Sequence, residues 1–161
     1  MHPPVPAQAL TDTGAGAGSL RLQDQVCFAL YSTMLGVHKV YRKLLRALGL
    51  TYPQYLVLLV LWERDGVTVS QIGERLFLDS ATLTPLLKRM QALGLIERRR
   101  DPADERRVLV ELSARGRALR AKAESIPAEV AQAAGCPLHE LADLRQRLVA
   151  LRARLLDAHH G

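Results

Sequence analysis

Both cysteines and three of the four tyrosines stand where their chemistry can go beyond packing. Cys27 lies in the run LRLQDQVCFALYS, within the first two turns of an expected helix. A helix N-terminus favours negative charge and so raises the thiolate fraction of a cysteine placed there. Asp24, three residues earlier, opposes that effect. The thiolate is the species that peroxides oxidise, which makes Cys27 a candidate redox centre. The plainer role of a lone cysteine on an apolar helix face is packing. Tyr31 follows four residues later, on the same helical face. Tyr41 comes fourteen residues after Cys27, about 21 Å along a straight helix. On a continuous helix it is out of reach of its own thiol, but it can meet the thiol of an antiparallel partner in a two-fold dimer. Tyr52 follows in TYPQY, and the second thiol, Cys136, sits in Gly135-Cys136-Pro137, a break between helices. Its plainer reading is a spare loop thiol.

Nothing else in the chain has catalytic or metal-ligating spacing. There is no C-x-x-C, no zinc-type ligand pattern and no nucleophile–base pair. His2, His38, His139, His159 and His160 are terminal or isolated, and read as surface or packing residues. The expectation is no metal, no cofactor and no enzymatic turnover.

A second constellation occupies residues 80–112, SATLTPLLKRMQALGLIERRRDPADERRVLVEL. Ser80, Thr82 and Thr84 fall in the first turns of a helix, where hydroxyls and free N–H groups can bind phosphates or base edges. Lys88 and Arg89 lie further along it, and Leu83, Leu86, Leu87 and Met90 form its core face. Pro85 falls beyond the first turn, removes one helical hydrogen bond and predicts a local bend. Gly94 stops the helix. Two β-type runs then flank the loop DPADER, which holds Asp101, Asp104, Arg106 and Arg107. An Asp–Arg pair there can brace the loop so that one guanidinium projects forward. A helix followed by a basic hairpin suits a major groove and the neighbouring minor groove of DNA. The bland alternatives are a solvated amphipathic helix and surface ion pairs worth little.

The elements that must position these groups read as helical. The chain has 161 residues, 48% of them apolar and 4% aromatic, enough for one domain with a core. Formal charge is +6, which points to an anionic partner, yet residues 68–112 hold 8 Lys/Arg against 7 Asp/Glu. Binding must therefore rest on placement. Residues 1–18, rich in Pro, Ala and Gly, predict a disordered tail. A first helix is expected to start between Ser19 and Asp24 and run to about Leu48, stopped by Gly49. Its stripe Leu30, Met34, Val37, Tyr41, Leu44, Leu48 is longer than a small core requires, which predicts contact with a second subunit. A central apolar helix runs from Tyr52 to about Glu63, and a short one from Gln71 to Leu76, before the helix ending near Leu93. Hairpin strands follow at residues 97–100 and 107–112, with Val108, Val110 and Leu112 facing the core. Ser113 caps a helix to about Ala134, bent at Pro127. A last helix, Leu138 to about Asp157, carries leucines in a near-heptad. The predicted order is α-α-α-α-β-β-α-α. The longest apolar run, residues 55–62, is too short to span a membrane, and no signal peptide is visible, so a soluble cytoplasmic protein is expected.

Asp104-Glu105-Arg106, then Val110, Leu112, Ser113 and Gly116, resemble the wing motif of the MarR family, D-x-R-x-x-x-L-x-L-T-x-x-G, with Val110 for Leu and Ser113 for Thr. The helix order agrees across residues 20–157. The resemblance implies a homodimeric winged helix-turn-helix regulator whose first and last helices build the dimer. It divides residues 19–161 into a DNA-binding part, 52–112, and a dimerisation part, 19–50 with 113–161. It makes Arg106 the minor-groove arginine, Asp104 its brace, and Ser80, Thr82, Lys88 and Arg89 recognition-helix contacts.

The run around Cys27, with Tyr41 and TYPQY, further resembles the organic hydroperoxide resistance regulators, a branch of that family. The resemblance implies that Cys27 senses peroxide and that Tyr41 and Tyr52 reach it from the other subunit, with Tyr31 as a further pocket tyrosine. Cys136 matches the second cysteine of the two-thiol subgroup, which resolves the oxidised sensor. An apolar pocket around Phe28, Leu30, Met34 and the second helix would favour organic hydroperoxides. The implied function is a repressor that leaves operator DNA when oxidised. The alternatives are a regulator of this family that binds a small phenolic ligand with inert cysteines, and a thiol peroxidase.

Overall fold

The structure, a computed structural model, describes residues 20–159, so the expected tail at residues 1–18 lies outside the described residues. It divides into two units, Met1–Val37 and His38–Gly161. The helix α1, Val26–Leu45, begins in the first and ends in the second. It is shorter at both ends than periodicity predicts. A 3-10 turn, Leu22–Asp24, precedes it, separated by Gln25 in extended conformation. A second 3-10 turn, Arg46–Leu48, follows, closed by Gly49 at φ 66°. Residue counting along an apolar stripe does not distinguish these tighter turns from α-helix, because both keep the chain coiled.

In the first unit the apolar side chains are open to solvent. Val26, Phe28, Tyr31, Met34 and Leu35 are all exposed, and Leu30 and Val37 are half-buried.

The second unit holds the core. α2, Tyr52–Glu63, starts with a reciprocal cap: Thr51 Oγ1 accepts from the Gln54 N–H, and Gln54 Oε1 accepts from the Thr51 N–H at 3.0 Å. Pro53 lies in its first turn, where no intrahelical donor is lost. Tyr55, Val57, Leu58, Val60 and Leu61 are buried, so the helix is central as its all-round apolarity predicts. α3, Val69–Leu76, repeats the device with Thr68 and Gln71. α4, Ser80–Ala92, is capped by Asp79 and runs as one helix through Pro85. Between α3 and α4 the chain passes so close that a Cβ on Gly73 would stand 2.8 Å from the Leu78 carbonyl oxygen.

The hairpin is longer than expected: β2 is Ile96–Asp101 and β3 is Asp104–Leu112, so only Pro102 and Ala103 turn. Most of DPADER is strand. The register runs from Ile96 opposite Leu112 to Arg100 opposite Val108, then shifts to pair Asp101 with Asp104. Such an irregularity bends and twists a strand near its tip. Val110 and Leu112 are buried and Val108 is half-buried. A strand missing from the predicted order, β1 at Val67–Thr68, pairs with Val110 and Leu109 and makes the sheet three-stranded, β1-β3-β2. Two residues are too few to show alternation.

The helix expected after Ser113 is two helices, α5 Ala114–Ala123 and α6 Ile126–Ala134. Pro127 lies in the first turn of α6 rather than inside a bent helix. Proline is cheap there and costly in an interior, so the chain breaks at residues 124–125 instead of kinking. Gly116 packs α5 against the hairpin, its missing Cβ only 2.2 Å from the Leu95 carbonyl oxygen. α7, Leu138–His159, contributes no side chain to the buried core among the described residues. Its Leu138, Leu144, Leu148 and Leu155 are exposed. Among the described residues, no single helix is long and apolar enough to cross a membrane.

Candidate functional site

At the start of α4, Asp79 Oδ1 accepts the Thr82 backbone N–H at 2.7 Å. That hydrogen bond holds the Asp79 carboxyl below its usual range. Behind this cap, Leu83, Leu86, Leu87 and Met90 are buried, as their spacing predicts. Ser80, Thr82, Lys88 and Arg89 are left exposed on the outer side, and Thr84 is half-buried. Among the described residues, Lys88 and Arg89 have no acidic partner.

Thr84 lines a groove of about 430 Å³ that continues over Ser70, Gln71, Arg98, Arg106 and Arg107. The start of α3, α4 and the hairpin thus share one concave face. Ser70, Gln71 and Arg98 were not singled out from the sequence. Arg98 Nε donates to Gln91 Oε1 at 2.7 Å, tying β2 to the end of α4. The triple arginine at residues 98–100 was the available signal.

The wing holds an Asp–Arg pair, Asp101 with Arg107, but Asp104 does not brace the Arg106 guanidinium. Asp104 Oδ1 accepts the backbone N–H of Arg106 at 3.1 Å, not its guanidinium. The aspartate therefore shapes the chain, as short acidic side chains do in turns. The Arg106 guanidinium has no acidic partner among the described residues. Its neighbours are engaged: Arg100 Nη1 donates to the Glu105 carbonyl oxygen at 2.7 Å, and Arg107 Nε lies 4.0 Å from Asp101 Oδ2. Arg99 pairs with Glu111 across the strands and holds its carboxyl below the usual range through that hydrogen bond.

Cys27 is the second residue of α1, free and exposed, and Tyr31 is 62% exposed on the same helix. Both belong to the first unit. Tyr41 and Tyr52 belong to the second unit, where the structure brings them together: their ring centroids are 4.3 Å apart. Tyr55, which sequence reasoning left unassigned, joins them 5.7 Å from Tyr41, and His38 lies 5.6 Å from Tyr52. The i, i+3 spacing of Tyr52 and Tyr55 was a usable signal. Burial, then the neighbouring Tyr52 and Tyr55, push the Tyr41 phenol up to about 12; burial also raises Tyr52 and Tyr55. These phenols are neutral hydrogen-bond donors at physiological pH. Cys136 is free and half-buried, next to Gly135 at φ 67° and just before α7. Among the described residues no cluster of ligating side chains could hold a metal ion.

A capped helix with an exposed hydroxyl and basic face, set beside an arginine-bearing hairpin, defines a winged helix-turn-helix DNA-binding transcriptional regulator. The chain belongs to the SarA/Rot transcriptional-regulator family of MarR-like winged-helix proteins, whose family model matches residues 39–122. It is 48% identical over 134 residues to the HTH-type transcriptional regulator TtmR of Methylorubrum extorquens, covering 83% of this chain and 69% of that one. It is 45% identical over 140 residues to the organic hydroperoxide resistance transcriptional regulator of Bacillus subtilis, covering 87% and 93%. Among solved structures, reduced AbfR of Staphylococcus epidermidis bound to DNA superposes with a TM-score of 0.71 at 32% identity, over 84% of this chain and 94% of that one. A disulfide-formed AbfR superposes with a TM-score of 0.55 at 35% identity, over 81% and 91%.

Proposed function

We propose that this regulator is a homodimeric repressor that senses organic hydroperoxides through Cys27 and leaves operator DNA when oxidised. The observation that carries the reading is the pair of neutral phenols, Tyr41 and Tyr52, tilted against each other in one cluster on a chain whose α1 opens with a free thiol. A neutral phenol donates a hydrogen bond to a thiolate or a peroxide oxygen, which a phenolate cannot do. The similar Bacillus protein is an organic hydroperoxide resistance regulator, and the similar AbfR has a disulfide form; both support the reading.

The chemistry takes two steps. The Cys27 thiolate attacks the terminal peroxide oxygen; an S–O bond forms, the O–O bond breaks, and the alkoxide leaves as the alcohol after taking a proton. The product is a sulfenic acid. The Cys136 thiol of the other subunit then attacks that sulfur, forming the disulfide and releasing water. The exposed apolar faces of α1 and α7 support the dimer, since side chains such as Phe28, Met34, Leu144 and Leu148 are otherwise left in water. Ser80, Thr82, Thr84, Lys88 and Arg89 contact the major groove and its phosphates, and Arg106 enters the minor groove, with Asp104 shaping its strand.

Non-reducing electrophoresis before and after an organic hydroperoxide tests the central step. A dimer-sized band that needs both thiols is expected, absent in Cys27→Ser and in Cys136→Ser. Release of DNA by peroxide in Cys27→Ser overturns the reading.

A second reading is favoured by a groove of about 250 Å³ lined by Tyr55, Leu59, Trp62 and Arg120. Its aromatic walls suit a small phenol, with Arg120 offset by Glu63 and Glu124 in the same lining. On that reading a phenol releases DNA from Cys27→Ser as well as from the wild type.

A further inference from the structure

Phe77 is the single non-glycine residue at positive φ among the described residues, at φ 57° and ψ 38°. It caps the C-terminus of α3, a position that glycine fills without steric cost and that bulky side chains avoid. Burial does not hold it there, because the ring is 56% exposed. Its contact is with α7: the Arg152 guanidinium carbon lies 4.3 Å from the ring centroid, a cation–π geometry. Leu156, one turn further along the same face of α7, lines a groove of about 510 Å³ with Val69, Gly73, Phe77 and Leu83. The C-terminal half of α7 therefore rests on the elbow between α3 and α4. That elbow ends at Asp79, the cap of the reading helix, two residues after Phe77.

The other end of α7 begins two residues after Cys136, which follows Gly135 in a left-handed turn. The helix has 22 residues, about 33 Å at helical rise. Among the described residues of the single chain, only Leu141 and Leu151 of α7 are half-buried, and the apolar side chains left exposed are those that meet the partner in the proposed dimer. α7 has a thiol at one end and the reading helix's elbow at the other. Backbone strain that persists on an exposed residue calls for a role, and this contact supplies one.

We propose that α7 transmits the redox state of Cys136 to the reading helix through the Arg152–Phe77 contact, with Leu156 as its second foot. The link rests on the reading of Cys27 and Cys136 as a redox pair. Arg152 and Phe77 act as positioning residues; neither touches the thiols. Disulfide formation displaces the Cys136 end, and the helix carries that displacement to the elbow at its other end. An exposed cation–π contact is worth about two- to fivefold in an equilibrium, and that sets the expected size of the coupling.

The test uses the full-length protein and a duplex selected from random sequence by the reduced wild type. Kd is measured for reduced and peroxide-oxidised protein, and the disulfide is followed on non-reducing gels. In Phe77→Gly and Arg152→Ala the disulfide is expected to form as in wild type. The oxidised-to-reduced Kd ratio is expected to fall about two- to fivefold in each, with no further loss in the double variant. Phe77→Tyr, which keeps the ring, is expected to retain the wild-type ratio. Glycine fits the left-handed backbone, so a thermal midpoint of Phe77→Gly at or above wild type separates lost coupling from lost folding. A wild-type ratio in both Phe77→Gly and Arg152→Ala overturns the link alone. A wild type that forms no disulfide overturns the redox reading and the link with it.

Discussion

Asp104 and Arg106 are joined through the backbone: the carboxylate accepts the arginine's N–H at 3.1 Å and leaves its guanidinium with no acidic partner among the described residues. The two side chains therefore do separable work. The aspartate fixes the strand as it leaves the Pro102–Ala103 turn, and the arginine keeps its full charge for an anion. A narrow minor groove rewards such a cation with its enhanced negative potential.

Replacing Arg106 with Ala is expected to weaken binding to a cognate duplex by about 1–3 kcal/mol, read by fluorescence anisotropy. Asp104→Asn, which keeps an acceptor oxygen, is expected to bind better than Asp104→Ala. Equal Kd values for Asp104→Ala and wild type would show that the backbone contact does not shape the wing.

The phenol cluster makes a titration prediction. Tyr41 is held up to about 12 by burial and by Tyr52 and Tyr55, against an ordinary value near 10. A phenol whose folded value exceeds its unfolded value favours the folded state fully below pH ~10 and loses that contribution as pH rises toward 12. Stability measured by urea denaturation is expected to fall across that window, and to fall less in Tyr41→Phe. Ultraviolet titration is expected to show a late-ionising tyrosine that disappears in the same variant.

How much of this was legible beforehand differs between elements for physical reasons. The reading helix was fully visible, because Asp79 or Ser80 as cap and four buried positions at helical spacing all agree with each other. The wing's existence was visible, but its length was not. DPADER is polar and carries a proline, so it reads as loop, yet Asp104, Glu105 and Arg106 continue β3 to the tip. β1 was invisible because its two residues gain their strand geometry from Val110 and Leu109, over forty positions away. Pro127 marked the right place but the wrong event, a new helix start instead of a bend. Of the redox candidates that the sequence singled out, Cys27, Tyr41, Tyr52 and Cys136, the structure brings together Tyr41 and Tyr52. Tyr55 was hidden within an apolar run, where an aromatic ring reads as core; it is both buried core and part of the phenol cluster.

Gly116 offers a test of how the reading part is fastened to the following helices. An added Cβ there meets the Leu95 carbonyl oxygen at 2.2 Å, a backbone atom that cannot swing aside. The Gly116 carbonyl also accepts from Trp62 Nε1 at 3.0 Å, so a shift of α5 strains a second contact. Gly116→Ala is expected to cost at least about 1–3 kcal/mol, the usual range for overpacking a tight contact, read as a lowered urea midpoint. Gly36→Ala, which meets nothing within 4 Å, is the matched control and is expected to be neutral or slightly stabilising.

Asp79 joins stability to the reading surface most directly. Its carboxylate accepts the Thr82 N–H, and the hydrogen bond is stronger for the charged form, which is why the group is held below its usual range. A depressed folded value means that the contribution is fully present above the unfolded value near 4 and is lost as pH falls through the folded one. The stability advantage of wild type over Asp79→Asn, whose amide oxygen accepts the same bond without titrating, is therefore expected to shrink as pH falls below about 4, read by urea denaturation at several pH values. Asp79→Ala removes the acceptor altogether and frees the first turn of α4, where Ser80 and Thr82 stand exposed. It is expected to lower both the thermal midpoint and DNA affinity, while Asp79→Asn keeps affinity near wild type. If Asp79→Ala binds DNA as tightly as wild type, the start of α4 does not need its cap to present those hydroxyls.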